Sequence, residues 1–362
     1  MVPDQVDLLL RGVRGRRLCL EYASLVDEAV RTAVFWLARG HDPNPGTLLR
    51  MIGDVPDRRE DPTLTPQEVA TSIDRIPPMP TRKGTVRDAL RATVDLARYW
   101  QEPDGSDAVA SLPPVRRALR PIAERLVEAL PDLSVSRAAE QWAVDWRALG
   151  ESGPLPTDPA ALLADWTTSV RLEEERAERE RPVDPRANLS GVWWSVPTAL
   201  LTTRARIPDV LELVEDSLGW EVATVVAVRG TGRTLEIRAP DEWADLCREY
   251  PVEVTASRRH DWYRATGRHG RWLIPDWQRV AERWDAVHLT TLGYLSAATE
   301  AIEIDDEYAS VIAGWAPDST IWLRDVAREW NGPRQEWTRR PDAATWTHSG
   351  TGTSPEHSSA SP

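Results

Sequence analysis

The sequence predicts an α+β protein, with an all-helical N-terminal domain followed by a C-terminal mixed or antiparallel sheet domain with short helices. Three observations carry this expectation. Apolar residues recur at three- and four-residue spacing through the first 150 positions. Runs of branched residues alternate with short amphipathic segments after residue 190. A Pro- and Gly-rich stretch at 149–159, followed by a charged run, separates the two. At 362 residues the chain can bury two ordinary cores, and its 41 % hydrophobic and 28 % charged content is that of a globular protein. The expected division is a helical domain over 1–150, a linker and charged helix over 151–190, an α+β candidate functional domain over 191–347, and a disordered tail over 348–362.

In the first region, Leu18, Tyr22, Leu25, Val26, Ala29, Val30, Ala33 and Leu37 share a helical spacing, with Gly40 as a stop. Thr65, Pro66 and Glu68 have the form of a capping box with proline in the first turn, opening a helix through Ile76. Val86, Leu90, Thr93, Val94 and Ala97 predict a helix ending near Trp100, and further helices are expected at 114–130 and 136–148. The charged helix covers about 160–181; its Glu175 and Arg179 stand one turn apart, as in a solvated spacer laced by its own ion pairs.

Beyond residue 190, strands are expected at 222–228, 234–239, 252–256, 272–274, 286–291, 310–315 and 320–323. Trp243, Leu246, Cys247 and Tyr250 form one helical stripe, and Trp277, Val280, Ala281 and Trp284 form another. The tryptophans on these stripes are expected in the core, with Arg279 and Arg283 solvated. Gly230 and Gly232 suggest a dinucleotide fingerprint only superficially. The third glycine is missing and a strand follows, so a hairpin turn is the expected reading.

The chain carries a formal charge of -13, which argues against non-specific nucleic-acid binding and against anionic membranes. No apolar run approaches the roughly twenty residues of a membrane span. Residues 1–7 lack the basic-then-apolar pattern of a signal peptide. Cys19 and Cys247 are isolated, so a reducing cytoplasm is the expected compartment. Lys83 is the sole lysine and Phe35 the sole phenylalanine, beside 18 tryptophans; GC-rich codon usage accounts for the arginine excess but not fully for the tryptophans.

Against this acidic background, 255–284 inverts the sign. Seven arginines, two histidines and only three acids share it with Trp262, Tyr263, Trp272, Trp277 and Trp284. Arginine forks beside aromatic faces suit planar anionic ligands. After the core helix is set aside, a loop at 257–271 remains as the candidate site. Arg258, Arg259 and Arg264 are candidates for phosphate, Trp262 and Tyr263 for stacking, and His260 for catalysis. Pinning by arginine–carboxylate pairs is the competing reading of the same loop. Trp193, Trp194 and Ser195 are candidates for a cleft wall or for packing between domains. His288 is expected as a core histidine, with Asp285 leaving a base role open. Glu303, Asp305, Asp306 and Glu307 suit an acidic turn, with a divalent cation or a catalytic carboxylate as the alternative. No hydrolase elbow, P-loop, zincin helix or paired-cysteine metal site is present.

Five phrases, at 14–21, 97–105, 254–263, 284–290 and 313–318, resemble a set of actinobacterial proteins of unknown function, a likeness that transfers no activity. Separately, the aromatic-Ser segment at Trp194 and Ser195, the unit from Leu235 to Trp243, the strand at 284–287 and the late strands resemble the ADP-ribosyltransferase fold. That resemblance implies NAD as substrate. It also implies a late glutamate, Glu303 or Glu307, that steadies an oxocarbenium-like transition state; the first strand that family needs has no counterpart before Trp193. The expected function is thus a nucleotide-handling enzyme transferring ADP-ribose, with Trp194 and Ser195 beside the arginines as cofactor-binding residues. The alternative is a non-catalytic binding or regulatory module that offers Trp and Arg surfaces to a protein partner.

Overall fold

The computed structural model describes residues 4–43, 62–78, 80–330, 332–341, 343 and 345–349. Among the described residues eight helices come first: α1 (Gln5–Arg11), α2 (Val13–Val26), α3 (Glu28–His41), α4 (Pro66–Asp74), α5 (Lys83–Asp95), α6 (Gly105–Ser111), α7 (Pro113–Ala118) and α8 (Arg120–Ala129). The α2/α3 break falls at Asp27, whose side chain accepts from Val30 N and starts a new helix within the continuous apolar spacing. The expected capping box opens α4, with Thr65 and Glu68 bonded reciprocally. Helix α5 ends at Asp95, short of Trp100.

The expectation of a helix at 136–148 is overturned. Residues Glu140–Asp145 form strand β1, and β1 is central. Its Gln141 and Ala143 are buried while Trp142 and Val144 are half-buried on the other face, the two-residue period of a strand. A short Ala- and Trp-containing segment has no decisive period of its own, and pairing with a Val-rich neighbour decides its state. The charged helix α9 (Pro159–Glu180) follows close to its expected place.

The later elements are β2 (Thr202–Arg204), α10 (Ile207–Glu212), β3 (Val222–Gly230), β4 (Thr234–Ile237), α11 (Pro240–Glu249), β5 (Pro251–Glu253), α12 (Thr255–Thr266), β6 (Arg271–Pro275), α13 (Trp277–Arg283), β7 (Ala286–Leu289) and α14 (Thr291–Ala297). Short strands follow: β8 (Ile302–Glu303), β9 (Tyr308–Ser310), β10 (Ser319–Trp322), β11 (Ala327–Glu329), β12 (Gln335–Thr338) and β13 (Thr347–His348). The larger sheet runs β13-β12-β3-β1-β2-β10-β7-β4, with β11 also on β3, and the smaller runs β5-β6-β9-β8. Pairings are antiparallel except β4 with β7 and β6 with β9, so the sheets are mixed. The hairpin expected across Gly230 and Gly232 is not formed. Strand β3 pairs with β1, β11 and β12, whereas β4 lies at the far edge beside β7.

The loop expected at 257–271 is also overturned: most of it is helix α12. Its buried side chains include Ser257, Arg258, His260 and Asp261, so the apolar period that marks a helix in sequence is absent. Gly267 ends the helix in the left-handed region, at φ 73°. The charged helix α9 is more than a solvated spacer, because Glu174 accepts from Ala256 N, Ser257 N and Ser257 Oγ at 2.7, 2.8 and 2.6 Å. A carboxylate thereby caps the start of α12.

A helical N-terminal region is therefore followed by a sheet region. The two share one apolar cluster that runs from Val6 through Leu18, Leu37 and Val115 to Val287, Leu295 and Leu323. Gly12, between α1 and α2, lies so close to α14 that an added Cβ would sit 2.0 Å from the Leu295 carbonyl oxygen. The expected tail beyond Ser349 lies outside the described residues.

Candidate functional site

Helix α12 holds most of the residues singled out in the basic window, and its three arginines and Trp262 donate to protein acceptors. Arg258, fully buried, donates to Ser257 Oγ at 3.0 Å and to the Trp194 carbonyl at 3.3 Å. Burial lowers its guanidinium to about 10 against the pull of Glu174 and Glu173. Trp262 Nε1 donates to the Trp193 carbonyl at 2.9 Å. Arg264 donates to the Trp100 carbonyl at 2.8 Å, and to Leu189 and Asp261 at 2.5 Å each. Arg259 reaches the Pro182 carbonyl at 3.0 Å, and Tyr263 lies under the Arg186 guanidinium. His260 is buried with neither ring nitrogen bonded, and burial followed by the charge of Arg259 lowers its pKa.

The other candidates are tied down as well. Ser195 Oγ bridges both backbone groups of Ala313, accepting from its N at 2.8 Å and donating to its O at 3.2 Å. Glu303 pairs with Arg268 at 2.9 Å and Glu307 with Arg271 at 2.6 Å. Asp305 accepts from Glu307 N and Tyr308 N, which makes this an acidic turn. Among the described residues no group of three or more His, Cys, Asp or Glu side chains is placed to hold a metal ion. His288 is buried in β7 with Nδ1 3.0 Å from Thr320 Oγ1. Asp285 is engaged elsewhere, accepting from Arg233 N at 2.7 Å. The structure thus does not gather Arg258, Arg259, His260 and a late glutamate into one cleft.

What α12 does instead is hold backbone. Besides Pro182 and Leu189, the carbonyls it takes up belong to Trp100, Trp193 and Trp194, residues outside any helix or strand. Their indoles line a cleft of about 340 Å³, within the range of small-molecule sites. Tyr99 stacks on Trp193 at 5.4 Å and Trp193 on Trp194 at 4.3 Å, with Trp100 tilted against Trp193 at 4.9 Å. A second aromatic group contributes Trp220, itself stacked on Trp146 at 4.5 Å, and Trp315 completes the lining. Gly314 lets Trp194 approach, because a Cβ there would lie 2.3 Å from Trp194 Cδ1 and its φ is 75°. Leu218, 74 % exposed, stands at the mouth.

The polar lining is Arg204, Glu215, Asp216, Thr202 and Ser319. Glu215 is half-buried and its carboxyl accepts from Tyr99 Oη at 2.5 Å. Burial pushes that carboxyl from 4.5 up to about 7, opposed by the Tyr99 hydrogen bond and by Arg204 and Arg14. The buried Tyr294 hydroxyl is close enough to feel the same carboxyl but forms no hydrogen bond, so Tyr99 is the bonded phenol. Arg204 donates from Nε to Ser319 Oγ at 3.0 Å, and from Nη1 to the carbonyls of Asp209 at 2.6 Å and Leu213 at 2.5 Å. Asp216 pairs with Arg98 at 3.1 Å. A larger hollow of about 430 Å³ beside β1 shares Thr202 and Arg204, but its own carboxylate, Asp145, is bound by Arg147 and kept low by that hydrogen bond.

No protein-family model, no curated protein and no solved structure matches the chain. The likeness to ADP-ribosyltransferases therefore rests on the sequence phrases alone. Of the residues singled out in the sequence as site candidates, Trp193 and Trp194 line the cleft. Tyr99, Trp100, Arg204, Glu215, Trp220 and Trp315 were not foreseen. The signal available was the tryptophan surplus, together with the phrases at 97–105 and 313–318 that contain Tyr99, Trp100 and Trp315. Chemically, the arrangement offers aromatic faces for a flat or cyclic molecule and one carboxyl that exists in both protonation states near neutral pH.

Proposed function

We propose that the protein binds a small organic molecule in the tryptophan-lined cleft and exchanges a proton with it through Glu215. The observation that carries this reading is the Glu215 carboxyl held at about 7 among indoles, with Tyr99 donating to it. A group with a pKa near the working pH combines a useful population of each form with a usable driving force, which is the requirement for general acid–base chemistry. Transfer of ADP-ribose from NAD, with Arg258, Arg259 and His260 on the phosphates and Glu303 or Glu307 as the late glutamate, is a different reading. It has less support, because the arginines expected to hold the phosphates donate to carbonyls and carboxylates of the protein.

The test is a thermal-shift screen of the full chain against saccharides, amines, carboxylates, nucleosides, nucleotides and NAD, repeated with Glu215→Gln and Trp220→Ala. At least one class should raise the melting temperature of the wild-type chain, and both substitutions should diminish that rise. A rise that persists undiminished in both variants would mean that the ligand sits elsewhere, and the absence of any rise across the panel would count against the reading as a whole.

A further inference from the structure

The lining of the cleft also limits what can enter it, and this step rests on the reading of the cleft as a ligand site. Six aromatic rings line the cleft, Tyr99, Trp100, Trp193, Trp194, Trp220 and Trp315; Trp193 stacks on Trp194, and Trp220 is backed by Trp146 from outside the lining. Indole faces hold flat π-systems better than branched or puckered molecules of the same volume. The ionic groups are already committed in a specific way. Arg204, the one lining cation, spends Nε and Nη1 on Ser319 and two carbonyls, and Asp216 is neutralised by Arg98. A phosphate would find only Nη2 of Arg204 uncommitted, too little for a two-nitrogen fork, and would lie beside the Glu215 carboxylate.

Glu215 sets the remaining requirement. In its ionised form the carboxylate accepts only, so its partner in the ligand must be a donor, and in its protonated form it can donate one hydrogen bond. A ring nitrogen satisfies both forms: bearing hydrogen it donates to the carboxylate, and bare it accepts from the acid. Aromatic faces also tolerate a ring that takes up the proton, through cation–π attraction. From this combination we infer that the cleft takes a planar nitrogen heterocycle, as free base or nucleoside, and discriminates against its phosphorylated forms.

The experiment is a tryptophan-fluorescence titration of the full chain with adenine, guanine, cytosine, uracil and their nucleosides, in parallel with the matching 5′-monophosphates, NAD and methyl glucoside. At least one base or nucleoside should saturate the signal, with its monophosphate weaker by about tenfold or more. Glu215→Gln should weaken the base by about tenfold, because the amide can no longer exchange roles with the ring nitrogen. Trp220→Ala provides an independent check should the first variant fold poorly. A monophosphate or NAD that binds as well as its nucleoside overturns the inference, as does failure of every heterocycle to saturate. Saturation by methyl glucoside with no heterocycle binding overturns the ligand class and leaves the cleft as the site. Heterocycle binding that ignores both substitutions overturns the cleft itself.

Discussion

At the scale of single residues, two titrating groups act on stability with opposite signs. Glu215 is raised by burial from 4.5 to about 7, so between those values the folded protein holds a proton that the unfolded chain releases. Stability therefore falls as pH rises through that window, by at most ~3 kcal/mol. Glu215→Gln should remove this loss, and its melting temperature should exceed that of the wild type more at pH 8 than at pH 5. His288 behaves in the reverse way. Burial lowers it from 6.5 to about 4, in surroundings that include Asp318 at 3.7 Å, Glu236 at 3.9 Å, Arg137 and Arg238. The unfolded chain takes up the proton first as pH falls from 6.5 towards 4, so stability is lost on the acid side by a similar ~3 kcal/mol at most. In His288→Asn the melting temperature, referred to its own value at pH 7, should decline less on acidification. An unchanged acid limb would show that other carboxylates dominate it.

At the scale of elements, the α1–α2 junction is fixed by contact with α14, where Gly12 leaves no room for a methyl group. Gly12→Ala should cost about 1–3 kcal/mol in urea unfolding, since the clash is with backbone and neither helix can yield locally. A neutral result would mean that α14 shifts freely against the N-terminal helices. The same scale shows why parts of the fold could be read from the chain and others could not. Helices with an apolar stripe, such as α11 with Trp243, Leu246 and Cys247, were legible, as were the Thr65 capping box and the Val-rich β3. Strand β1 was not, because its six residues carry too little pattern and its state is set by β2 and β3 on either side. Helix α12 was not, because it buries Arg258 and Asp261, whose partners Trp194 and Gly191 are remote in sequence, and a histidine with no bonded partner. Residues drawn together across the whole chain, from Tyr99 to Ser319, compose the cleft, and no local spacing announces such a set.

At the scale of the whole molecule, a division of the chain near residues 150 and 190 would run through its construction. Strand β1 lies between β2 and β3, and the N-terminal helices share their apolar cluster with β7 and α14. A fragment of residues 191–349 would leave one edge of β2 and one edge of β3 open and would lose the cover over α14. It should show no cooperative thermal transition, while the intact chain unfolds in a single one. Cooperative melting of that fragment, with native-like near-ultraviolet dichroism, would establish the sheet region as an independent unit. Among the described residues no helix is long and apolar enough to cross a membrane.

The three bonds from α12 to the carbonyls of Trp100, Trp193 and Trp194 bear on how a mutational scan of this protein would read. Truncating Arg258, Trp262 or Arg264 releases the main chain that carries three of the indoles, so binding would drop although none of these side chains lines the cleft. A map drawn from loss of affinity alone would then place the ligand on the arginine helix. The contrast between affinity and chemical shift separates the two cases: ligand-induced shifts in the indole N–H resonances report who touches the ligand, whereas affinity also reports who holds the walls upright.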